Sequence, residues 1–192
     1  MKRILTALLL LGSVSLFATA FTIDPAHSQV GFSVKHMMVS KVPGKFDRYG
    51  GTIEFDEKSM QFTTLRGVIE ADSINTENDR RDNHLRSPDF FEVEKYPQIV
   101  FEMTGYKGDA DGGKMDGELT IRGITKPVTM DVEIGGLVTD PWGNRRFGFS
   151  LTGKVNRQDF GLKWNKVLET GGFVVGDTVK LQVDIEGIAK TK

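Results

Sequence analysis

The 192-residue chain reads as an all-β protein, eight antiparallel strands closing into a barrel with one or two short helices between the third and fourth strands. Hydrophobic residues alternate with polar ones in run after run, which marks strands with one face on a core. Short connections rich in Gly, Asp and Pro separate the runs. The alternation breaks in one place only. Closure into a barrel, rather than a sandwich, removes exposed edges.

The first strand sets Val30, Phe32 and Val34 against Gly31, Ser33 and Lys35. Less regular runs, Gly44–Phe55 and Thr64–Ser73, supply the second and third. The break follows. Thr76-Glu77-Asn78-Asp79 has a capping-box layout with Thr76 as N-cap, ahead of the polar run Arg80–Arg86. Ser87-Pro88 offers a second cap with Pro at the first helical position. Ile99, Phe101 and Met103 form the fourth strand, and Met115, Gly117, Leu119 and Ile121 the fifth. Arg122-Gly123-Ile124-Thr125-Lys126-Pro127 is a tight corner, with Pro127 at a strand start where its missing N–H is harmless. Val128, Met130, Val132 and Ile134 follow as the sixth strand, then Phe147, Phe149, Leu151, Gly153 and Val155 as the seventh. Val179, Leu181, Val183 and Ile185 make the eighth. Gly108–Gly113 and Asp140-Pro141-Trp142-Gly143-Asn144 are hairpin loops.

The first residues read as an address. Lys2 and Arg3 precede the mainly apolar stretch Ile4–Phe17, and Ala18-Thr19-Ala20 is a small-x-small cleavage pattern. That is the layout of a cleaved signal peptide over residues 1–20, leaving a barrel domain of residues 21–192 outside the cytoplasm. The apolar core is short for a membrane span, and no other segment approaches one. The net charge of −1 argues against nucleic acid, which needs a basic surface. The chain has no cysteine, so thiolate metal or redox chemistry is excluded and stability rests on the core.

Motifs for catalysis are lacking: there is no Gly-x-Ser-x-Gly elbow, and the Gly-rich stretches lack the strand–loop–helix context of phosphate loops. His27, His36 and His84 have no partner at metal-ligand spacing, so neither a metal nor a cofactor is expected. His36 shares the parity of Val34, which places it at a barrel mouth or at a strand's exposed end. What the pattern offers is an apolar interior. An eight-stranded barrel either fills with side chains or holds one small ligand. Each buried CH2 contributes about 0.8 kcal/mol, so a chain of about 20 carbons gains roughly 16 kcal/mol against an association cost of about 4–15 kcal/mol. Parity puts Phe32, Val34, Phe101, Met103, Leu119, Ile121, Met130, Val132, Phe149, Leu151, Leu181 and Val183 on the lining. Arg81, His84 and Arg86 on the helical segment are the groups placed to meet an anionic head.

Several ordered motifs are similar to those of the YceI-like family: Ile23-Asp24-Pro25-Ala26-His27-Ser28, Gly44-Lys45-Phe46, the run Arg81–Phe91 with Tyr96-Pro97, Gly117–Val128, Asn156–Gly161 and Val175-Gly176-Asp177. The likeness covers nearly the whole chain after residue 20 and departs at Phe21-Thr22, where the family commonly carries Tyr or Trp. The resemblance implies a lipocalin-like barrel in the bacterial periplasm. It also implies a non-enzymatic carrier whose partner is a polyisoprenoid, an isoprenoid quinone or a fatty-acid-like molecule, and it leaves a homodimer open. The competing reading is an exported interaction or stress-response protein whose barrel is filled and takes no lipid. An outer-membrane barrel is disfavoured by the scarcity of interfacial aromatics, three Tyr and two Trp.

Overall fold

The alternating runs do pair into one sheet. The structure, a computed structural model, describes residues 18–169 and 171–189; most of the expected signal peptide, residues 1–17, lies outside them. Among the described residues the strands are β1 (Thr19–Ile23), β2 (Gln29–His36), β3 (Ser40–Phe46), β4 (Tyr49–Asp56), β5 (Gln61–Glu70), β6 (Ile74–Asn75), β7 (Gln98–Gly108), β8 (Gly112–Ile121), β9 (Ile124–Thr139), β10 (Arg145–Asn156) and β11 (Val175–Ala189). β1, β4, β5, β7, β8, β9, β10 and β11 close into an eight-stranded antiparallel barrel, sealed where β1 pairs with β11 through Phe21↔Ala189. The lower part of β11 carries β2 instead, and β2, β3 and β6 extend the sheet beyond the ring.

Three local details differ from the alternation pattern. Gly44–Phe55 is two strands rather than one, because the chain turns a corner at Asp47-Arg48. There Asp47 N–H donates to the Ser73 carbonyl (3.1 Å) and Arg48 N–H to Ser73 Oγ (3.1 Å). β1 adds a strand at the expected cleavage point, and Phe21 is its buried anchor, 5.3 Å from the Phe147 ring. The helix α1 (Asp79–Arg86) is capped by Asn78, not Thr76: Asn78 Oδ1 accepts from Arg81 N–H at 2.9 Å. Thr76 is already committed to Asp82, donating through its backbone N–H (3.0 Å) and its hydroxyl (2.5 Å). Acidic Asp79 and Asp82 in the first turn, and His84 and Arg86 in the last, suit the helix dipole. Ser87-Pro88 begins turns rather than a second helix, with Phe90 N–H and Glu92 N–H both donating to the Ser87 carbonyl.

The interior divides along the barrel axis. Toward the β4–β5, β7–β8 and β9–β10 hairpins, Phe55, Phe62, Phe147 and Phe149 pack with Met115, Met130, Val132 and Ile185. The Phe55 and Phe147 rings stack at 4.2 Å, and Phe62 meets Phe55, Phe149 and Tyr106 edge-on at 5.0 Å. This end is plugged. At the other end Val30, Phe46, Ile74, Phe90, Ile99, Phe160 and Leu162 form a second cluster beneath α1 and the chain that follows it.

Candidate functional site

Between the two clusters lies a cavity of about 220 Å³. Its walls are the inner faces of the strands, as the period-two pattern requires. Phe32, Val34, Phe101, Leu119, Ile121, Met130, Phe149, Leu151, Leu181 and Val183 all line it. Met103 and Val132 do not. They also face inward, but nearer the hairpins, where they pack into the plugged cluster.

Two glycines set the shape of the wall. A Cβ at Gly44 would lie 2.3 Å from the Phe32 ring, and one at Gly117 would lie 2.4 Å from the Phe101 ring. The far edge of each ring reaches over a neighbouring strand because the glycine there has no side chain, and the space the rings leave is cavity.

Residues without strand parity complete the lining. Leu85, Phe90 and Phe91 descend from α1 and the following turns, and Phe160 and Leu162 come from the 3-10 turn after β10. Phe90 and Phe91 stand in an evident apolar pair in the sequence; Leu85 is hidden in a charged helix and carries no such signal. The lid is latched by Arg122, in a left-handed conformation at φ 52°. Its guanidinium donates to Glu92 Oε2 (2.9 Å), the Pro88 carbonyl (3.0 Å) and the Gly161 carbonyl (3.0 Å).

The charged groups of α1 point elsewhere. Arg81 donates to Thr76 Oγ1 (2.7 Å) and to the Thr76 carbonyl (2.8 Å). Arg86 donates to the carbonyls of Asp72 (2.7 Å) and Ile74 (2.9 Å). His84 meets Asp89 Oδ2 at 2.8 Å, and its ring packs edge-on against Phe90 and Trp164 at 5.1 and 4.8 Å. These groups fasten the lid from its outer side; none lines the cavity.

Two arginines border the cavity, Arg66 and Arg157. Arg66 is exposed and paired with Glu102 at 2.9 Å. Arg157, 4% exposed, is fully engaged: it donates to the carbonyls of Gly176 (3.0 Å), Trp164 (3.0 Å) and Leu162 and to Asp177 Oδ1 (3.1 Å). Burial draws its pKa down, against the pull of Asp177. With its donors satisfied it acts as a strut, and the cavity presents carbon. Among the described residues, Asp24, His27 and Glu186 bring possible metal ligand atoms within 4.8 Å of one another. However, the Arg146 guanidinium already sits between Asp24 and Glu186.

A closed antiparallel barrel with an apolar chamber under a helical lid defines a lipocalin-like class of fold. Comparison with known proteins makes the assignment narrower. Residues 21–187 match the YceI-like domain, and the chain belongs to that family. A UPF0312 protein of Staphylococcus aureus is 41% identical over 169 residues, 88% of this chain and 96% of its own. The crystal structure of a Campylobacter jejuni YCEI protein has 38% identity and a TM-score of 0.70, covering 82% of this chain and 90% of that one. A domain from Saccharophagus degradans, described as polyisoprenoid binding and implicated in plant cell wall breakdown, shares the fold at TM-score 0.66 and 16% identity, covering 90% of this chain and 99% of its own.

Proposed function

We propose that this protein is a non-enzymatic carrier that holds the apolar chain of a polyisoprenoid, isoprenoid quinone or fatty-acid-like lipid in the chamber beneath its lid, and that it works in the periplasm after removal of residues 1–20. The observation that carries this reading is a chamber walled by carbon while both bordering arginines are spent on protein partners. A ligand recognised there gains from desolvation and dispersion, not from ionic contact. The neighbour described as polyisoprenoid binding supports the ligand class, since it shares the fold.

The volume constrains the binding mode. About 220 Å³ exceeds the roughly 150 Å³ of an apolar cavity known to take benzene, and falls below the roughly 300–1,000 Å³ of typical ligand sites. The chamber as it stands takes one end of a long chain. A longer stretch enters as Phe32, Phe101 and Met130 change rotamer, which unbranched and planar side chains allow. The polar head then stays at the lidded end, on the side of Arg81, His84 and Arg86.

Native mass spectrometry of protein purified from its own host tests the reading. The expected result is one long-chain lipid per chain, lost in a Val183→Phe variant that still folds. Protein that arrives empty and takes up neither prenyl nor acyl chains in vitro leaves the filled-barrel interaction protein as the better account.

A further inference from the structure

Three local costs coincide at one place, the tip of the lidded end. The β2–β3 connection is a tight turn closed by Val39 N–H donating to the His36 carbonyl at 3.2 Å. Its two central residues, Met37 and Met38, both have positive φ, 49° and 65°. That turn favours Asn-Gly, and a long unbranched side chain pays for the left-handed backbone. The turn then exposes its apolar groups: Met38 is 62% and Val39 87% accessible. Beside it a second hairpin, residues 165–169 and 171–175, is joined through Met37 N–H donating to the Val174 carbonyl (2.9 Å). This hairpin presents Val167 and Phe173, 75% and 50% accessible.

The third cost is electrostatic. Lys35 and Lys41 are direct cross-strand partners, and so are Lys154 and Lys180 on the adjoining strands. Like charges in that register destabilise a sheet. Among the described residues the lysine ion pairs are Lys45–Asp47 and Lys114–Asp131. None of these four lysines, nor Lys163 and Lys166 on the second hairpin, is neutralised. Nearby Asp177 is engaged by Arg157 and Gln158, which leaves Glu169 as the acid of the second hairpin.

We propose that this tip docks the protein on an anionic lipid bilayer, with Met38, Val39, Val167 and Phe173 entering the interface and the lysines lying among the headgroups. Apolar side chains carried on a basic rim suit that surface, where each lysine adds attraction to anionic lipid. A second copy of the chain fits less well, because a two-fold contact sets each lysine row against itself. Val34, Val175 and Val179 of the same strands line the chamber, so docking brings the chamber wall to the membrane. The proposal goes beyond the carrier reading and stands whether or not the chamber is occupied.

Flotation with vesicles of phosphatidylcholine alone, and of phosphatidylcholine mixed with phosphatidylglycerol, provides the test. The protein is expected to float with the mixed vesicles, to ignore the neutral ones and to be released by salt. Lys35→Gln with Lys41→Gln should weaken binding by about fivefold per lysine. Met37→Asn with Met38→Asn should abolish it while thermal stability holds or rises, since Asn tolerates the left-handed backbone. Binding that the glutamine pair leaves unweakened, binding that survives the asparagine pair, or absence of binding to mixed vesicles overturns the proposal. So does a dimer in sedimentation that the asparagine pair converts to monomer, which assigns the surface to a second copy. Bound lipid is read separately by native mass spectrometry of the same samples. An empty protein that floats therefore refutes the cargo reading alone, and a loaded one that does not float refutes docking alone.

Discussion

The two ends of the barrel are built on the same strands with the same alternation, yet one is solid and the other hollow. At the plugged end, rings from strands across the barrel meet one another: Phe147 on β10 lies within 5.6 Å of Phe21, Phe55 and Phe62 on β1, β4 and β5, and of Phe149 on its own strand. At the lidded end the large rings lie along the wall, Phe32 over Gly44 and Phe101 over Gly117. An inward ring adds core when its neighbour across the barrel is another ring. It adds surface to a chamber when its neighbour is a glycine in the adjacent strand. The plugged end carries the stability that allows the hollow end to leave space.

The largest expected effect tests that division of labour. Phe147→Ala, at a fully buried position, should cost about 3–5 kcal/mol in denaturant unfolding. Leu181→Ala, on the chamber wall, should cost clearly less, because its side chain already borders space and gives up fewer contacts. Equal costs would mean that the chamber wall is as tightly packed as the plug. Added volume should separate the ends in the opposite sense. Val183→Phe fills the chamber and should leave stability within about 1 kcal/mol of the parent, whereas Met115→Phe overpacks the plug and should cost about 1–3 kcal/mol. A destabilised Val183→Phe variant would break the comparison.

Acid should weaken the ion-pair network at the plugged end. Burial works against the Asp140 carboxylate, but the Arg146 guanidinium and the Asn144 amides outweigh it and hold its pKa well below 3.8. For Asp24, the His27 hydrogen bond leads in lowering the pKa, with Arg146 helping against burial. A depressed folded-state pKa contributes stability that is present above the unfolded value and lost as pH falls through the folded one. Unfolding free energy should therefore decline below about pH 4, and NMR signals around Arg146 should move before those of Phe32 and Leu181. The smallest effect belongs to Tyr106, whose hydroxyl is buried in the plug without a hydrogen-bond partner among the described residues. Tyr106→Phe should be neutral or stabilise by up to about 1 kcal/mol, and a clear loss would reveal a partner for that hydroxyl.

The amino-acid sequence by itself determined which face each strand turns inward. Period two is a property of the pleat, so parity alone assigns Phe101, Leu119, Leu151 and Leu181 to the interior without knowledge of their partners. Turn chemistry likewise located the β7–β8 and β9–β10 loops. Only the tertiary structure decided how far along the axis each inward residue stands. Phe101 and Met103 are two residues apart on one face of β7, but cross-strand pairing sets Phe101 beside Leu119 at the chamber and Met103 beside Gly117 toward the plug. The tertiary structure also decided what the helix does. Arg81 and Arg86 read as free cations in the chain, but the carbonyls of Asp72, Ile74 and Thr76, where the sheet gives way to the lid, take their donors. Depth and donor use both depend on register between distant strands, which local pattern does not encode, because a strand's pleat is set by its own backbone while its offset is set by its neighbours.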